Sequence, residues 1–276
     1  MGPFIGGLHI PLTGGSRGSE DIAGIDLCRG WMEEDGELKI EDRGLRMRET
    51  KMVPYTVVLE QFRAAPPGKL FCLHGSAAVF RMSLTAAARA LAVGIPMTLV
   101  DGTNRFDVYY IADFARRLAD RQPYGKHRTP EQFLDNIFIS RAFTCFQMEA
   151  VITDRLPAFV HARRSPVAII FGLLDTYYDE QAPFYEVKAS LQRVIAALHA
   201  LKQQNVSVLL ASLDLRPASK ERNVLFPTLA AAMDNVYAVA EEDGRTTIVD
   251  QHPQLRHAMV PGCHLHRMND QRAMRR

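Results

Sequence analysis

A short apolar run, Lys69 to Leu73, passes through His74-Gly75-Ser76-Ala77 into an alanine-rich stretch that continues to Leu91. Small residues between a strand and a helix leave backbone amides free at the positive end of the helix dipole, which suits a phosphate group. A phosphate loop follows G-x-x-x-x-G-K-[ST], where lysine reaches the terminal phosphates and the hydroxyl ligates magnesium. Gly75 matches the first glycine, but Phe80, Arg81 and Met82 hold the last three positions, and Ser83 follows them. Phe80 puts a ring where glycine lets the backbone approach. Arg81 keeps the charge in a bulkier planar form, and Met82 removes the oxygen that magnesium needs. The expectation is a phosphate-loop outline with degraded chemistry. No cofactor is required on this reading, while binding of ATP with magnesium, without turnover, stays open.

Two further segments carry charge. Leu213 to Pro227 holds Arg216, Lys220 and Arg222 in a polar, net basic loop interrupted by proline, a candidate contact for single-stranded DNA. Asp175 to Glu186 is acidic, and its Tyr177, Tyr178, Phe184 and Tyr185 read as a packed aromatic loop. The end of the chain gathers His252, His257, Cys263, His264 and His266 with Arg267, Arg272, Arg275 and Arg276. No CxxC pair anchors those ligand types, so no metal site is expected there.

These residues need a scaffold. Lys69–Leu73, Pro96–Asp101, Asn136–Ser140, Val167–Leu174 and Val206–Ser212 are apolar runs of buried-strand length. Helical windows lie between them, the clearest after Pro183, where Val187, Leu191, Val194, Ile195, Leu198 and Leu201 recur at spacings of three and four. The alternation predicts an α/β fold, a mostly parallel sheet with helices on both faces. Val236 to Val249 reads as two strands around the turn dipeptide Asp243-Gly244. Ten of the 18 glycines fall in the first 50 residues, which divides the chain into a glycine-rich arm (1–52), a core domain (53–250) and a basic tail (251–276).

Composition sets the outer bounds. The chain has 276 residues, 47% of them hydrophobic and 23% charged, which excludes disordered and fibrous classes. With 33 basic and 31 acidic residues, net charge does not select a partner. No apolar run approaches the roughly 20 residues of a membrane span, and the first residues lack the pattern of a secretory signal. Four scattered cysteines fit a reducing cytoplasm.

Three segments resemble the RecA/RadA strand-exchange recombinases, in the RadA-type branch. Leu134 to Ile152 (LDNIFISRAFTCFQMEAVI) is similar to that branch's strand with Leu-Asp-Asn leading to Ala-Arg-Ala-Phe and a later Gln. Val100 to Phe106 (VDGTNRF) resembles its Thr-Glu-Gly-Thr element, and Ser165 to Glu180 resembles its apolar strand with a magnesium-associated Asp. The resemblance runs from about Val57 to Val239 and implies a RecA-like core with a nucleotide pocket. In that frame Asp101 replaces the water-positioning glutamate. The magnesium-associated position falls on Gly172 in one register of the strand and on Asp175 in another, and both registers stay open. No phosphate sensor is evident at Ala211-Ser212-Leu213-Asp214. Phe62-Arg63-Ala64-Ala65 matches the family's Phe-x-x-Ala pattern but reads as core packing. Several losses at one pocket imply a non-catalytic paralogue, an accessory subunit in DNA recombination or repair with little or no hydrolysis. Its implied partners are single-stranded DNA, a recombinase or repair protein, and further subunits in a homo- or hetero-oligomer. The alternatives are a RecA-fold scaffold or regulatory subunit outside repair, and an unorthodox DNA-dependent ATPase using Arg81, Asp101 and Asp175.

Overall fold

Continuous apolar runs are stable as strands only when both sheet faces are covered, and the inner strands of this sheet meet that requirement. A computed structural model describes residues 52–58, 68–121, 128–179, 181–215, 217–242 and 245–251. The strands are β1 (Leu70–Gly75), β2 (Met97–Asp101), β3 (Ile137–Arg141), β4 (Val167–Phe171), β5 (Ser207–Leu213), β6 (Asn235–Glu242) and β7 (Arg245–Asp250). Their spatial order is β3-β2-β4-β5-β1-β6-β7. All neighbours pair in parallel except β6 with β7, which form the antiparallel pair expected around Asp243-Gly244.

The strand period of two sorts the side chains into two cores. Phe71 and Leu73 face one, with Leu99 and Ile169, beneath α1 (Ala78–Ala92) and α2 (Val108–Arg121). Leu70 and Cys72 face the other, with Val100 and Ile170. That side is covered by α4 (Cys145–Ala150), α5 (Leu156–Arg163), α7 (Phe184–Gln203) and α8 (Leu225–Ala231). Two short helices complete the set, α3 (Pro130–Leu134) and α6 (Leu173–Tyr177).

Local chemistry explains the helix boundaries. Thr129 and Gln132 form a reciprocal capping box at the start of α3, and Thr144 accepts from the Gln147 amide at the start of α4. Between α4 and α5 the helix widens into a π-turn over Val151–Arg155. Pro157 follows just inside α5. Its missing N–H removes an i→i−4 bond, which favours such a bulge. Met52 bridges to Val249 and the Val53 amide donates to Ile248, so residues 52 and 53 lie along β7.

Two expectations need correction in detail. The run from Val167 ends as a strand at Phe171, because Gly172 turns left-handed (φ 62°) and Leu173 and Leu174 open α6. The phosphate-loop outline is absent, as the next subsection describes. The glycine-rich arm apart from Met52, Phe62 to Ala65, Arg216 and the His, Cys and Arg residues of the tail lie outside the described residues. Among the described residues, no helix is long and apolar enough to cross a membrane.

Candidate functional site

Parallel order brings the carboxyl ends of β1, β2, β4 and β5 to one edge of the sheet, where such folds bind ligands. At the first of these ends the connection is very short. Gly75 ends β1 with φ 129°, and a Cβ there would lie 2.1 Å from the Val239 carbonyl oxygen. Helix α1 then starts at Ala78, capped without a side-chain bond by Ala77. Phe80, Arg81, Met82 and Ser83 are therefore helical residues rather than a loop. Three amides of this turn are already used: Ser76 donates to Val239, Val79 to Ser76 and Phe80 to Ala77.

The side chains close the same space. Phe80 is buried against Phe171 with ring centroids 5.1 Å apart, and the Arg105 guanidinium lies 5.7 Å above its ring. Arg81 is exposed and pairs with Glu241 at 3.2 Å. Met82 is buried, its carbonyl accepting from the Tyr55 hydroxyl, and Ser83 donates back to Val79. The residues present do not fit a magnesium–triphosphate at this turn: no long loop surrounds it, the Val79 and Phe80 amides are bonded within the helix start and a phenyl ring fills the interior.

Asp101 ends β2 fully buried. Its carboxylate accepts from the amides of Thr103, Arg105 and Phe106 and from the Thr103 hydroxyl, at 3.0 to 3.3 Å. Both oxygens thus hold the loop 102–106, which includes the left-handed Asn104. This carboxylate folds a loop, and a fully engaged acceptor is poorly placed to take a proton from water.

At the end of β4 the two registers converge on one place. A Cβ at Gly172 would meet Thr103 Cγ2 at 1.9 Å, so no side chain fits there. The Asp175 carboxylate folds back to within 3.2 Å of that same point and accepts from the Ser212 hydroxyl at 3.4 Å. Burial raises the Asp175 carboxyl above the usual range, against the lowering effects of that hydrogen bond and of Arg105.

Beside it, His74 is buried in β1 as the register partner of Ser212, with Nε2 2.9 Å from Gln251 Oε1 and its ring against Phe226. His74 Nδ1 and Ser76 Oγ are buried without a hydrogen-bond partner. Burial lowers the His74 pKa below its ordinary value, only partly opposed by the Gln251 bond and by Asp214. Neither His74 nor Arg105 is marked as a site residue by the sequence pattern. The signal for His74 was a polar residue closing an otherwise apolar strand.

The basic loop separates into distinct roles. Lys220 is exposed at the start of the 3₁₀ turn Lys220–Val224. Arg222 is not available to DNA: it is 3% exposed and donates to the carbonyls of Tyr177 and Ala182, both at 2.5 Å. The expected aromatic loop is packed in part, with Tyr177 buried and bonded to Ser190, whereas Tyr185 is exposed. Among the described residues, no group of His, Cys, Asp and Glu is arranged to hold a metal ion. No protein-family model matches the chain, and no curated protein matches it.

Proposed function

We propose that the protein is a non-catalytic RecA/RadA-like subunit that assists DNA recombination or repair. One observation carries this reading. The strand order sets the turn at Gly75, the loop from Asp101, the Gly172–Asp175 turn and the Ala211–Asp214 segment at a single edge. Those are the segments that the resemblance assigns to one nucleotide pocket. The same edge supports the word non-catalytic. Phosphoryl transfer depends on positioned charge and metal, and here Phe80 fills the interior, Asp101 is engaged by its own loop and Arg81 pairs with Glu241.

The test is fluorescence anisotropy with labelled single-stranded DNA and with a purified recombinase, across a salt series, beside a magnesium–ATP turnover assay. The reading expects salt-sensitive binding to at least one of them, weakened by neutralising Lys220 and Arg216, and no turnover. Turnover abolished by Asp101→Asn or Asp175→Asn would instead establish the unorthodox ATPase.

A scaffold outside repair is the second reading. Strand β3 ends the sheet with one side unpaired among the described residues, and Ile139, Phe143 and Phe146 are exposed on it or just after it. An open strand edge with apolar side chains is suited to subunit contact. A stable ring that binds neither DNA nor a recombinase would favour it.

A further inference from the structure

Strand β3 closes one end of the sheet, and the hydrogen bonds at its two ends fix which of its main-chain groups face outward. The Met97 amide donates to the Asn136 carbonyl at 3.0 Å, and the Ala142 amide donates to the Asp101 carbonyl at 3.2 Å. Along a parallel pair, alternate residues turn both main-chain groups toward the same neighbour, so the even-numbered residues from Asn136 to Ala142 serve β2. Ile137, Ile139 and Arg141 therefore direct their amides and carbonyls away from the sheet, where no strand pairs with them among the described residues. Such a row is a template for one more strand.

The strand's own sequence decides which strand fits. Ile139 stands at its middle, 39% exposed, and belongs to the outward set. A two-fold axis at Ile139 sets a second copy antiparallel, pairs Ile139 with Ile139, and pairs Ile137 with Arg141 in both directions. All of these pairs are of the hydrogen-bonded type, so every outward amide meets a carbonyl. The register also matches charge. Arg141 and Asp135 are both exposed, and neither has an ion-pair partner among the described residues. Opposite Ile137 of the second copy, Arg141 lies diagonal to that copy's Asp135, at the roughly 7–8 Å that long side chains span across strands, and the symmetry makes this contact twice. A parallel, in-register neighbour would instead set Arg141 beside Arg141. A five-residue strand pair alone buries less than the roughly 1,200 Å² of a stable interface. Phe143, 66% exposed two residues past Arg141, extends the apolar contact beyond the strand end.

We propose that the protein forms a two-fold dimer in which β3 pairs antiparallel with β3 of a second copy, joining the two sheets into one. The inference depends on the open β3 edge and on neither functional reading given above. A two-fold contact is self-complementary and consumes the edge, so assembly through it stops at two copies and does not grow into a ring.

The test is sedimentation velocity on the full-length chain from about 1 to 200 μM, a range that brackets the dissociation constant of a weak dimer. The expected result is a monomer–dimer equilibrium. Ile139→Lys places two like charges at the axis and should raise the dissociation constant at least tenfold. Arg141→Asp sets its carboxylate against Asp135 and should raise it at least threefold, and the double variant Arg141→Asp, Asp135→Arg should return it to within twofold of the parent. Both swapped positions are exposed, so these variants carry the test if circular dichroism shows Ile139→Lys to be unfolded. A monomer at every concentration, an assembly of any size indifferent to the folded variants, or no recovery in the double variant overturns the proposal. Binding to single-stranded DNA and to a recombinase is read separately by anisotropy, so a failure there removes the recombinase reading and leaves the dimer standing.

Discussion

Phe80 meets Phe171 edge-on, 5.1 Å between ring centroids, so a residue in the first turn of α1 packs directly on the carboxyl end of β4. The contact occupies the interior that a phosphate loop would need to leave open. Phe80→Ala removes a buried aromatic ring and is expected to cost about 3–5 kcal/mol in denaturant unfolding. Phe80→Leu retains most of the volume and should cost far less. Magnesium–ATP should leave the thermal midpoint of the parent protein unchanged, since a ligand stabilises only the state it binds.

Arg222 ties the 3₁₀ turn to the loop after α6 through two carbonyls. Arg222→Met leaves both without that donor, at roughly 1–3 kcal/mol each. Its lysine variant has a single ammonium in place of the guanidinium fork and should fall between the two. In DNA titrations below the variant's melting range, Arg222→Met should keep the parent salt slope. Neutralising Lys220 should reduce the slope by about 0.7 if it contacts a single strand.

At Gly172 two penalties combine, a left-handed backbone and a collision with Thr103 Cγ2. Gly172→Ala is expected to destabilise by about 2–4 kcal/mol, in the range of overpacking added to backbone strain. Thr103→Ser removes the methyl group in the way and retains the hydroxyl that donates to Asp101. The double variant should recover the steric part and leave the backbone part, a coupling measurable by a double-mutant cycle.

His74 gives stability a pH dependence of known sign. Burial lowers its pKa in the folded state below the ordinary 6.5. The unfolded chain therefore binds the proton first as pH falls. The contribution of neutral His74 is complete above pH 6.5 and is lost below it until the folded-state pKa is reached, with a slope of at most about 1.4 kcal/mol per pH unit. His74→Gln should remove that component from unfolding curves recorded between pH 7.5 and 5, leaving only the remaining groups.

Much of the scaffold was legible because its signals are local. Each of the five apolar runs contains or closely overlaps a strand, and the helix after Pro183 follows the stripe from Val187 to Leu201. Buried-face periodicity depends on near neighbours in sequence, so it survives without knowledge of contacts. The boundary at Phe171 was less accessible. Leu173 and Leu174 are as apolar as the strand before them, and only the left-handed turn at Gly172 separates the two elements.

The site was legible in its residue types and not in their roles. Matching Phe80 to Met82 against a loop pattern assumed that the connection after Gly75 was long enough to be a loop. Bonds from Ser76 to Val239 and from Val79 and Phe80 to the residues before them start the helix early instead. Arg222 read as a solvent-facing cation because its partners are carbonyls 40 and 45 residues away, and backbone acceptors leave no mark in a side-chain pattern.

What the sequence alone determined is the alternation of buried strands and amphipathic helices, and the absence of a lysine and a hydroxyl at Phe80 to Met82, the residues set against the phosphate-loop pattern; each follows from residue type and spacing. Only the tertiary structure decided which polar groups remain available. It engaged Asp101 in its own loop, buried Arg222, and set His74, Ser212 and Asp175 near one another from two strands and the short helix α6. Availability depends on where hydrogen-bond partners lie in space, and parallel strands bring those partners from distant parts of the chain.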